Sequence, residues 1–345
     1  TMFTTAFTLL FLLLVQQVSG DFQSSNDNIS SRQLKSRIIG GSIANPKNYP
    51  FFSWLNIQSK SSTGIESLFC GGSLVAPDVI LTAAHCLFGS ANIDVWVNST
   101  TRKASDYEYF RKSARTVIHP KFDYFNKIGH DIGLIFLDSP VHNVPLMPWN
   151  RNISIPGDHR KIVSAIGFGQ TSSGGVGGPP IATPPVASPP FALRSSASFP
   201  SPVPSSPPVR PNHHRALSIL PESLMEVSFY TIPKRKCLKM VGSWKVPETA
   251  ICASEGKKGI CFGDSGGPLL LSSKAQNAGY LQIGITSRVS DSSCVGINKP
   301  QFFTNVAIFT KWIDETICKY SKSKPTTCLS TNPNTQKPSS KPSPK

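Results

Sequence analysis

The chain has 345 residues, a formal net charge of +16, 30 prolines and eight cysteines. This length would allow two domains, but the prolines cluster in two tracts, which shortens the part that can fold. The aromatic and basic pattern of a nucleic-acid-binding module is absent, and we expect no transmembrane segment. The excess of positive charge fits either a solvated surface or a polyanionic partner.

The first twenty residues have the composition of a secretory signal peptide. An apolar run from Leu9 to Val15 is followed by small residues that end at Gly20. About ten apolar residues are too few to span a bilayer but suit a signal-peptide core. No Lys or Arg precedes the run, so a buried N-terminal helix is the alternative. We expect a signal peptide over 1–20, a polar propeptide over 21–37 and a secreted, extracellular protein.

All eight cysteines follow this leader, and an even number in a secreted chain predicts four disulfides. No Cys-x-x-Cys pair occurs, so zinc-ligand spacing is absent. We expect no metal and no cofactor. Sequons at Asn28, Asn98 and Asn152 permit N-glycosylation.

From Ile38 onward, short apolar runs rich in Val, Ile and Phe alternate with Gly, Pro, Asn and Asp. Runs of this length between turn signals predict an all-β sandwich or barrel. The runs are FFSWLNI, GSLVAPDVILTAAHC, DVWVNST, IGLIFL, KIVSAIGF, MEVSFYTI, YLQIGIT and QFFTNV. Near the end, NVAIFTKWIDETICKY has apolar residues at helical spacing and predicts a helix.

Two tracts interrupt or follow the β pattern. Residues 172–215, here called the Pro-rich segment, hold twelve prolines between positions 179 and 211, a composition that predicts a disordered surface loop. Such a loop could bind a Pro-recognising partner, carry O-glycans or be a tolerated insertion, and long surface insertions cost little stability. Residues 319–345, the basic tail, hold six lysines and no acidic residue, and predict a disordered segment. It is either a solvated tail without a partner or a segment that binds a polyanion.

Three separated motifs carry residues suited to nucleophilic catalysis. LTAAHC contains His85, HDIGLIFL contains Asp131 and GDSGGP contains Ser265. A serine hydroxyl needs a neutral imidazole to take its proton, and the imidazole needs a buried carboxylate to fix its tautomer. Glycines beside the serine let backbone N–H groups converge on an oxyanion. Each motif alone is weak, but the three together predict a catalytic serine.

In this order, the motifs resemble those of the trypsin/chymotrypsin family of serine proteases, over residues 38–318. The resemblance implies two packed six-stranded antiparallel β-barrels with a C-terminal α-helix. It implies His85 as general base and acid, Asp131 as its orienting partner and Ser265 as nucleophile. The N–H groups of Gly263 and Ser265 would form the oxyanion hole. Ser287, in GITSRV, would support the aspartate and open the strand that pairs with substrate.

SRIIGG, at residues 36–41, resembles the family's activation site. Cleavage after Arg37 by a trypsin-like protease would free the ammonium of Ile38 to pair with Asp264. Because an α-amino group titrates near pH 8, activity is expected to fall in the alkaline range. The acid limb is expected to follow His85, at about pH 6.5 if its pKa is unperturbed.

The resemblance also implies three disulfide pairings, namely Cys70–Cys86, Cys237–Cys252 and Cys261–Cys294. Cys318 and Cys328 then remain and pair by elimination, although an intermolecular bond or free thiols are alternatives.

The substrate pocket implied by the resemblance has no acidic residue. Family members that cut after Arg or Lys carry an aspartate six residues before the nucleophile, where this chain has Gly259, and Gln301 is also neutral. A cationic side chain would lose its water without a carboxylate to replace it. The pocket would be formed by Gly259, Ile260, Phe262, Ser287, Val289 and Gln301.

Its size depends on Val289, whose branched side chain narrows it as in elastase-type members and favours small or medium apolar side chains. A chymotrypsin-like preference for Phe, Leu or Met is the alternative. Arg288 replaces the aromatic residue usual in the family and would favour acidic residues further from the scissile bond.

The sequence therefore predicts a secreted serine endopeptidase made as a zymogen. Its expected partners are protein and peptide substrates, an activating trypsin-like protease, protein protease inhibitors and a polyanion on the basic tail. The alternative is a catalytically weak binding protein on a protease fold, which would act through the Pro-rich segment and the basic tail.

Overall fold

Strands dominate the computed structural model, which describes residues 39–61, 64–102, 109–124, 129–170, 220–241, 246–273, 279–290, 294 and 299–329. The strands are β1 Ser42–Ile43, β2 Phe52–Ser61, β3 Gly64–Ala76, β4 Val79–Thr82, β5 Ser90–Val97, β6 Phe110–Ile118, β7 Gly133–Leu137, β8 Ile162–Gly167, β9 Met225–Ile232, β10 Ala250–Ser254, β11 Pro268–Ser272, β12 Tyr280–Val289 and β13 Gln301–Asn305. The α-helices are α1 Ala84–Leu87, α2 Lys234–Met240 and α3 Thr310–Tyr320. The predicted signal peptide, propeptide and Pro-rich segment lie outside the described residues, as do Asn28, Arg37 and Ile38.

The first barrel closes in the strand order β2-β3-β4-β7-β6-β5, with every pair antiparallel. In β5 the side chains alternate, so that Ile93, Val95 and Val97 point into the core. Strand β7 is buried on both faces and reads as a continuous apolar run. Helix α3 packs beside it, with the Tyr320 and Phe136 rings edge to face.

The second barrel has the order β9-β10-β13-β12-β11-β8 and closes because β8 also pairs with β9. Strand β9 alternates along its length, burying Met225, Val227 and Phe229. The two-residue strand β1 pairs with Met225 and Glu226 at the start of β9, and β10 pairs with the end of β9. The predicted fold, two six-stranded antiparallel barrels with a C-terminal helix, is therefore confirmed. The first turn of the predicted helix is a 3₁₀ turn, Val306–Phe309.

Four disulfides join the cysteines, namely Cys70–Cys86, Cys237–Cys252, Cys261–Cys294 and Cys318–Cys328. These are the expected pairings. None of the helices in the described ranges is long and apolar enough to cross a membrane.

The chain stays ordered beyond the predicted start of the basic tail. Helix α3 ends at Tyr320, and the buried Asp78 accepts hydrogen bonds from the Ser321 hydroxyl and the Lys322 N–H, both at 2.6 Å. A 3₁₀ turn at Thr326–Leu329 follows, and its Cys328 is tied back to α3. Part of the predicted basic tail, up to residue 329, is therefore in contact with the protease fold, and residues 330–345 lie outside the described ranges.

Candidate active site

His85 and Asp131 come together at one end of the first barrel. Strand β4 leads into α1, which carries His85, and Asp131 lies two residues before β7. Because β4 and β7 pair with Thr82 opposite Gly133, the two residues leave the sheet side by side. Nδ1 of His85 is 2.8 Å from Oδ2 of Asp131, and the His85 backbone N–H donates to Oδ1 at 2.9 Å.

The second barrel completes the surroundings of Asp131. From β12, the Ser287 hydroxyl donates to Oδ2 at 2.6 Å, and from β13 the Thr304 hydroxyl donates to the Asp131 carbonyl at 2.9 Å. Burial by itself would raise the pKa of Asp131, but His85 and the hydrogen bonds to the carboxylate hold it below its usual value. The carboxylate is therefore ionised at neutral pH. Thr304, which the motifs did not identify, is a polar residue within the apolar run QFFTNV.

Ser265 lies in a tight loop that packs against the first barrel. Its carbonyl accepts the Gly71 N–H at 2.7 Å, and the Thr82 hydroxyl donates to the Gly71 carbonyl at 2.8 Å. Gly266 has φ +78°, and a Cβ there would lie 2.2 Å from the Thr82 hydroxyl oxygen, so this position requires glycine. The loop is thereby fixed against the strands that lead to His85.

The same loop presents two backbone donors. Gly263 has φ +99°, which brings its peptide into a conformation that favours glycine. Within the described ranges, the N–H groups of Gly263 and Ser265 have no hydrogen-bond acceptor. Backbone donors without a protein partner are what an oxyanion would need.

Asp264, which lies between Gly263 and Ser265 in the sequence, is buried, and its carboxylate packs closely against Gly167 and Gly169. Its Oδ1 accepts the Gly169 N–H at 2.7 Å and its Oδ2 accepts the Cys261 N–H at 2.8 Å. A Cβ on Gly167 or Gly169 would lie 2.3 or 2.2 Å from a carboxylate oxygen. Burial raises the pKa of Asp264 to about 7, although the two N–H groups act in the opposite direction.

The residues that follow the predicted cleavage site lie beside this loop. Arg37 and Ile38 are outside the described ranges. The Ile39 carbonyl accepts the Gly259 N–H at 3.1 Å. A Cβ on Gly40 would lie 2.7 Å from the Lys258 side chain. The start of the expected mature chain is therefore in contact with Lys258 and Gly259, a few residues before Asp264.

The residues predicted to form the substrate pocket differ in their burial and in their neighbours. Val289 and Gln301 are opposite each other across β12 and β13, and a Cβ placed on Gly259 would lie 3.6 Å from Nε2 of Gln301. Ile260 is buried in the core of the second barrel, whereas Phe262 is 44% exposed.

Arg288 lies between Ser287 and Val289 on β12. Its guanidinium carbon is 5.0 Å from the centroid of the Phe302 ring. Burial lowers the pKa of Arg288, while the negative charge of Asp131 raises it.

The Cys70–Cys86 disulfide lies next to His85. Sγ of Cys86 is 3.8 Å from Nε2 of His85, and Cys70, His85 and Cys86 form a compact group. Both sulfurs belong to the Cys70–Cys86 disulfide and offer no thiolate to a metal ion.

Two of the three sequons lie within the described ranges. Asn98 is half-buried with φ +56° just after β5, and Asn152 is exposed. The structure therefore leaves Asn152 the more accessible acceptor.

A family model described as Trypsin matches residues 38–183 and 189–313. Human chymotrypsin-like elastase family member 3B is 27% identical over 316 residues, which are 90% of this chain and 97% of that protein. The Macaca mulatta protein of the same name is 26% identical over 300 residues, 84% of this chain and 97% of that protein. Human serine protease 56 is 26% identical over 309 residues, 89% of this chain but 42% of that longer protein. Since the family model covers more than half of the sequence, the chain belongs to the trypsin family of serine proteases.

Proposed function

We propose that the chain is a secreted serine endopeptidase, made as a zymogen, with Ser265, His85 and Asp131 as its catalytic triad. The observation that carries the proposal is the 2.8 Å contact between His85 Nδ1 and the buried carboxylate of Asp131. An ionised partner at Nδ1 keeps the proton on that nitrogen and leaves Nε2 as the base.

In the proposed reaction, the Ser265 hydroxyl oxygen attacks the carbonyl carbon of the scissile bond while Nε2 of His85 takes its proton. The carbonyl oxygen becomes an oxyanion, which accepts hydrogen bonds from the N–H groups of Gly263 and Ser265. The C–N bond then breaks, and His85 gives the proton to the leaving amine. An ester of Ser265 remains. Water, deprotonated by His85, attacks this ester, and the acid product leaves as the serine regains its proton.

Activation is proposed to follow cleavage after Arg37. A buried carboxylate with a raised pKa is costly to ionise, and Asp264 has no cationic partner within the described ranges. A new ammonium on Ile38 would supply that charge. The hydrogen bond between Ile39 and Gly259 supports this, because it keeps the start of the mature chain near the loop.

The proposed substrates are proteins and peptides cut after small or medium apolar residues. Gly259 and Gln301 provide no carboxylate for a basic side chain. The similarity to proteins named as elastases is consistent with this preference.

Labelling with a fluorophosphonate, which reacts only with an activated serine, tests the proposal. The protein cleaved after Arg37 should be labelled and should hydrolyse peptides. The uncleaved protein and a cleaved Ser265→Ala variant should not. A cleaved wild-type protein that takes no label would contradict the proposal and favour the binding-protein alternative.

A further inference from the structure

Basic side chains gather on the surface of the first barrel, where β6 meets the end of α3. Arg115 of β6 is directly opposite Phe136 of β7, and the ring of Phe136 is edge to face with the ring of Tyr320. The guanidinium carbon of Arg115 lies 4.7 Å from the centroid of the Tyr320 ring, and Nζ of Lys319 lies 5.0 Å from the same centroid. Two cations from different elements are therefore held against one ring.

No carboxylate balances these two cations. In the part of the chain that the structure describes, neither Arg115 nor Lys319 forms an ion pair, and both side chains are exposed. The Tyr320 ring attracts each of them but does not neutralise them. Because both charges lie near one ring, they are within about 10 Å of each other, which is about one Debye length at 0.1 M salt. An anion placed beside both would relieve a repulsion that salt screens only in part.

Three more cations extend the group along the turn that follows β7. Nη2 of Arg111 donates to the Pro140 carbonyl at 2.9 Å, and Nζ of Lys322 donates to the Asp138 carbonyl at 3.1 Å. These acceptors are neutral, so the hydrogen bonds fix the two side chains without removing their charge. Lys324 is exposed and lies two residues further along the chain.

The acidic residues nearby do not neutralise the group. Asp78 is buried and accepts the two hydrogen bonds from the chain after α3. Asp94 is paired with Lys112 at 3.2 Å. Asp138 is exposed and contributes one negative charge. An excess of positive charge therefore remains on the five residues here called the basic patch, namely Arg111, Arg115, Lys319, Lys322 and Lys324.

We propose that the basic patch binds a sulfated polysaccharide of the heparin type. This inference goes beyond the proposed proteolysis. It places three lysines of the basic tail on the folded surface, where they act together with two arginines of β6. A linear polymer with a sulfate on successive sugars can contact cations that are spread over two elements, and a guanidinium donates two parallel N–H groups to such an oxyanion.

The same surface is poorly suited to other polyanions. Nucleic acid without a paired partner strand binds through bases stacked on aromatic rings, whereas the Tyr320 ring is half-buried and already carries two cations. A membrane surface would need apolar side chains beside the cations. Among the described residues, the large exposed apolar side chains belong to other parts of the fold.

The test is titration of the full, uncleaved chain with a heparin dodecasaccharide at several NaCl concentrations. Arg115→Gln combined with Lys319→Gln should weaken binding by roughly tenfold or more, and should lower the slope of log Kd against log salt by about two. The matched control is Arg235→Gln combined with Lys236→Gln, which removes the same charge from exposed residues of α2. This control should bind within about twofold of the wild type.

Two further variants separate charge from packing and the patch from the free tail. Exchange of the two cations, Arg115→Lys with Lys319→Arg, keeps both charges and should bind within about threefold of the wild type. A chain truncated after Leu329 keeps the basic patch and lacks the last three lysines of the sequence. It should also bind within about threefold of the wild type.

Urea unfolding shows whether each variant is folded. If the Arg115→Gln, Lys319→Gln variant is not, Lys322→Gln combined with Lys324→Gln serves the same purpose. Unchanged heparin affinity in a folded patch variant would overturn the inference, as would an equal loss in the α2 control or the loss of binding on truncation. Tighter binding of duplex DNA or of phosphatidylserine vesicles than of the dodecasaccharide would also overturn it. Because binding is measured without cleavage after Arg37, none of these outcomes depends on the proposed protease activity.

Discussion

The Ser287 hydroxyl donates to Oδ2 of Asp131 at 2.6 Å, and the same oxygen lies 2.8 Å from Nδ1 of His85. Ser287 belongs to β12 of the second barrel, whereas Asp131 and His85 belong to the first. This hydrogen bond between the two barrels therefore helps to keep the Asp131 carboxylate ionised and oriented towards the His85 imidazole.

Replacing Ser287 by alanine should weaken catalysis through Asp131. The loss of a hydrogen bond to a charged group, about 1.5–3 kcal/mol, should lower kcat by roughly tenfold or more, because the imidazolium formed in the reaction is less well stabilised. Asp131→Asn should lower it much further, by about 10⁴-fold. Steady-state kinetics on one peptide measures both. Ser287→Thr keeps the hydroxyl and should recover most of the loss, and full activity in Ser287→Ala would contradict the prediction.

The local patterns of the sequence identified much of this arrangement. MEVSFYTI matches β9, whose burial alternates, and each catalytic motif adjoins an apolar strand: His85 follows β4, whereas Asp131 and Ser265 precede β7 and β11. Strand β6 was not identified, because most of its side chains are partly or fully exposed and no apolar alternation marks it.

Relationships between distant segments could not be predicted in this way. The close packing around Asp264 joins Gly167 and Gly169 to a residue about ninety-five positions later. The Cys294 carbonyl at Gly259 is likewise a backbone contact that no side-chain pattern encodes. The hydrogen bond between Ser321, just after α3, and the buried Asp78 joins residues more than two hundred positions apart.

The uncleaved protein should lose stability as pH rises, because of Asp264. Its pKa is raised from 3.8 in the unfolded chain to about 7 in the fold. The contribution of Asp264 to the free energy of unfolding is therefore fully present below about pH 4 and is lost as pH rises through about 7. The Asp264→Asn variant cannot ionise at this position. Relative to this variant, the free energy of unfolding of the wild type should fall by up to roughly 1.4 kcal/mol per pH unit between about pH 4 and pH 7. Denaturant unfolding at several pH values measures the difference.

Asp131→Asn provides the matched control for this measurement. The pKa of Asp131 is held below its usual value, so the stability it contributes is present above about pH 4 and is lost on acidification. As pH rises, the free energy of unfolding of the wild type should therefore fall relative to Asp264→Asn and rise relative to Asp131→Asn. Parallel curves for wild type and Asp264→Asn would show that the buried carboxylate is not destabilising.

Removing the disulfide between Cys318 and Cys328 should destabilise the C-terminal part of the fold. The bond closes a loop with a sequence separation of 10, for which the chain-entropy model gives about 2–3 kcal/mol. The double variant Cys318→Ser, Cys328→Ser avoids a free thiol, and urea unfolding should show the loss. A variant truncated after Leu329 keeps the bond and should unfold like wild type. Equal stability of the double variant and wild type would mean that Asp78 alone anchors the segment.

Arg288 should give the enzyme a preference for acidic residues upstream of the scissile bond. It is next to Ser287 on the strand proposed to pair with substrate, and its guanidinium is packed over Phe302. Burial lowers its pKa, but a guanidinium remains cationic at neutral pH. A glutamate two or three residues before the cleaved bond should therefore be favoured over glutamine by roughly fivefold in kcat/KM, and added salt should reduce this ratio.

The Arg288→Gln variant should lose this preference for glutamate, and Arg288→Lys should keep part of it. A ratio that is the same in wild type and Arg288→Gln would mean that the guanidinium serves only to pack against Phe302.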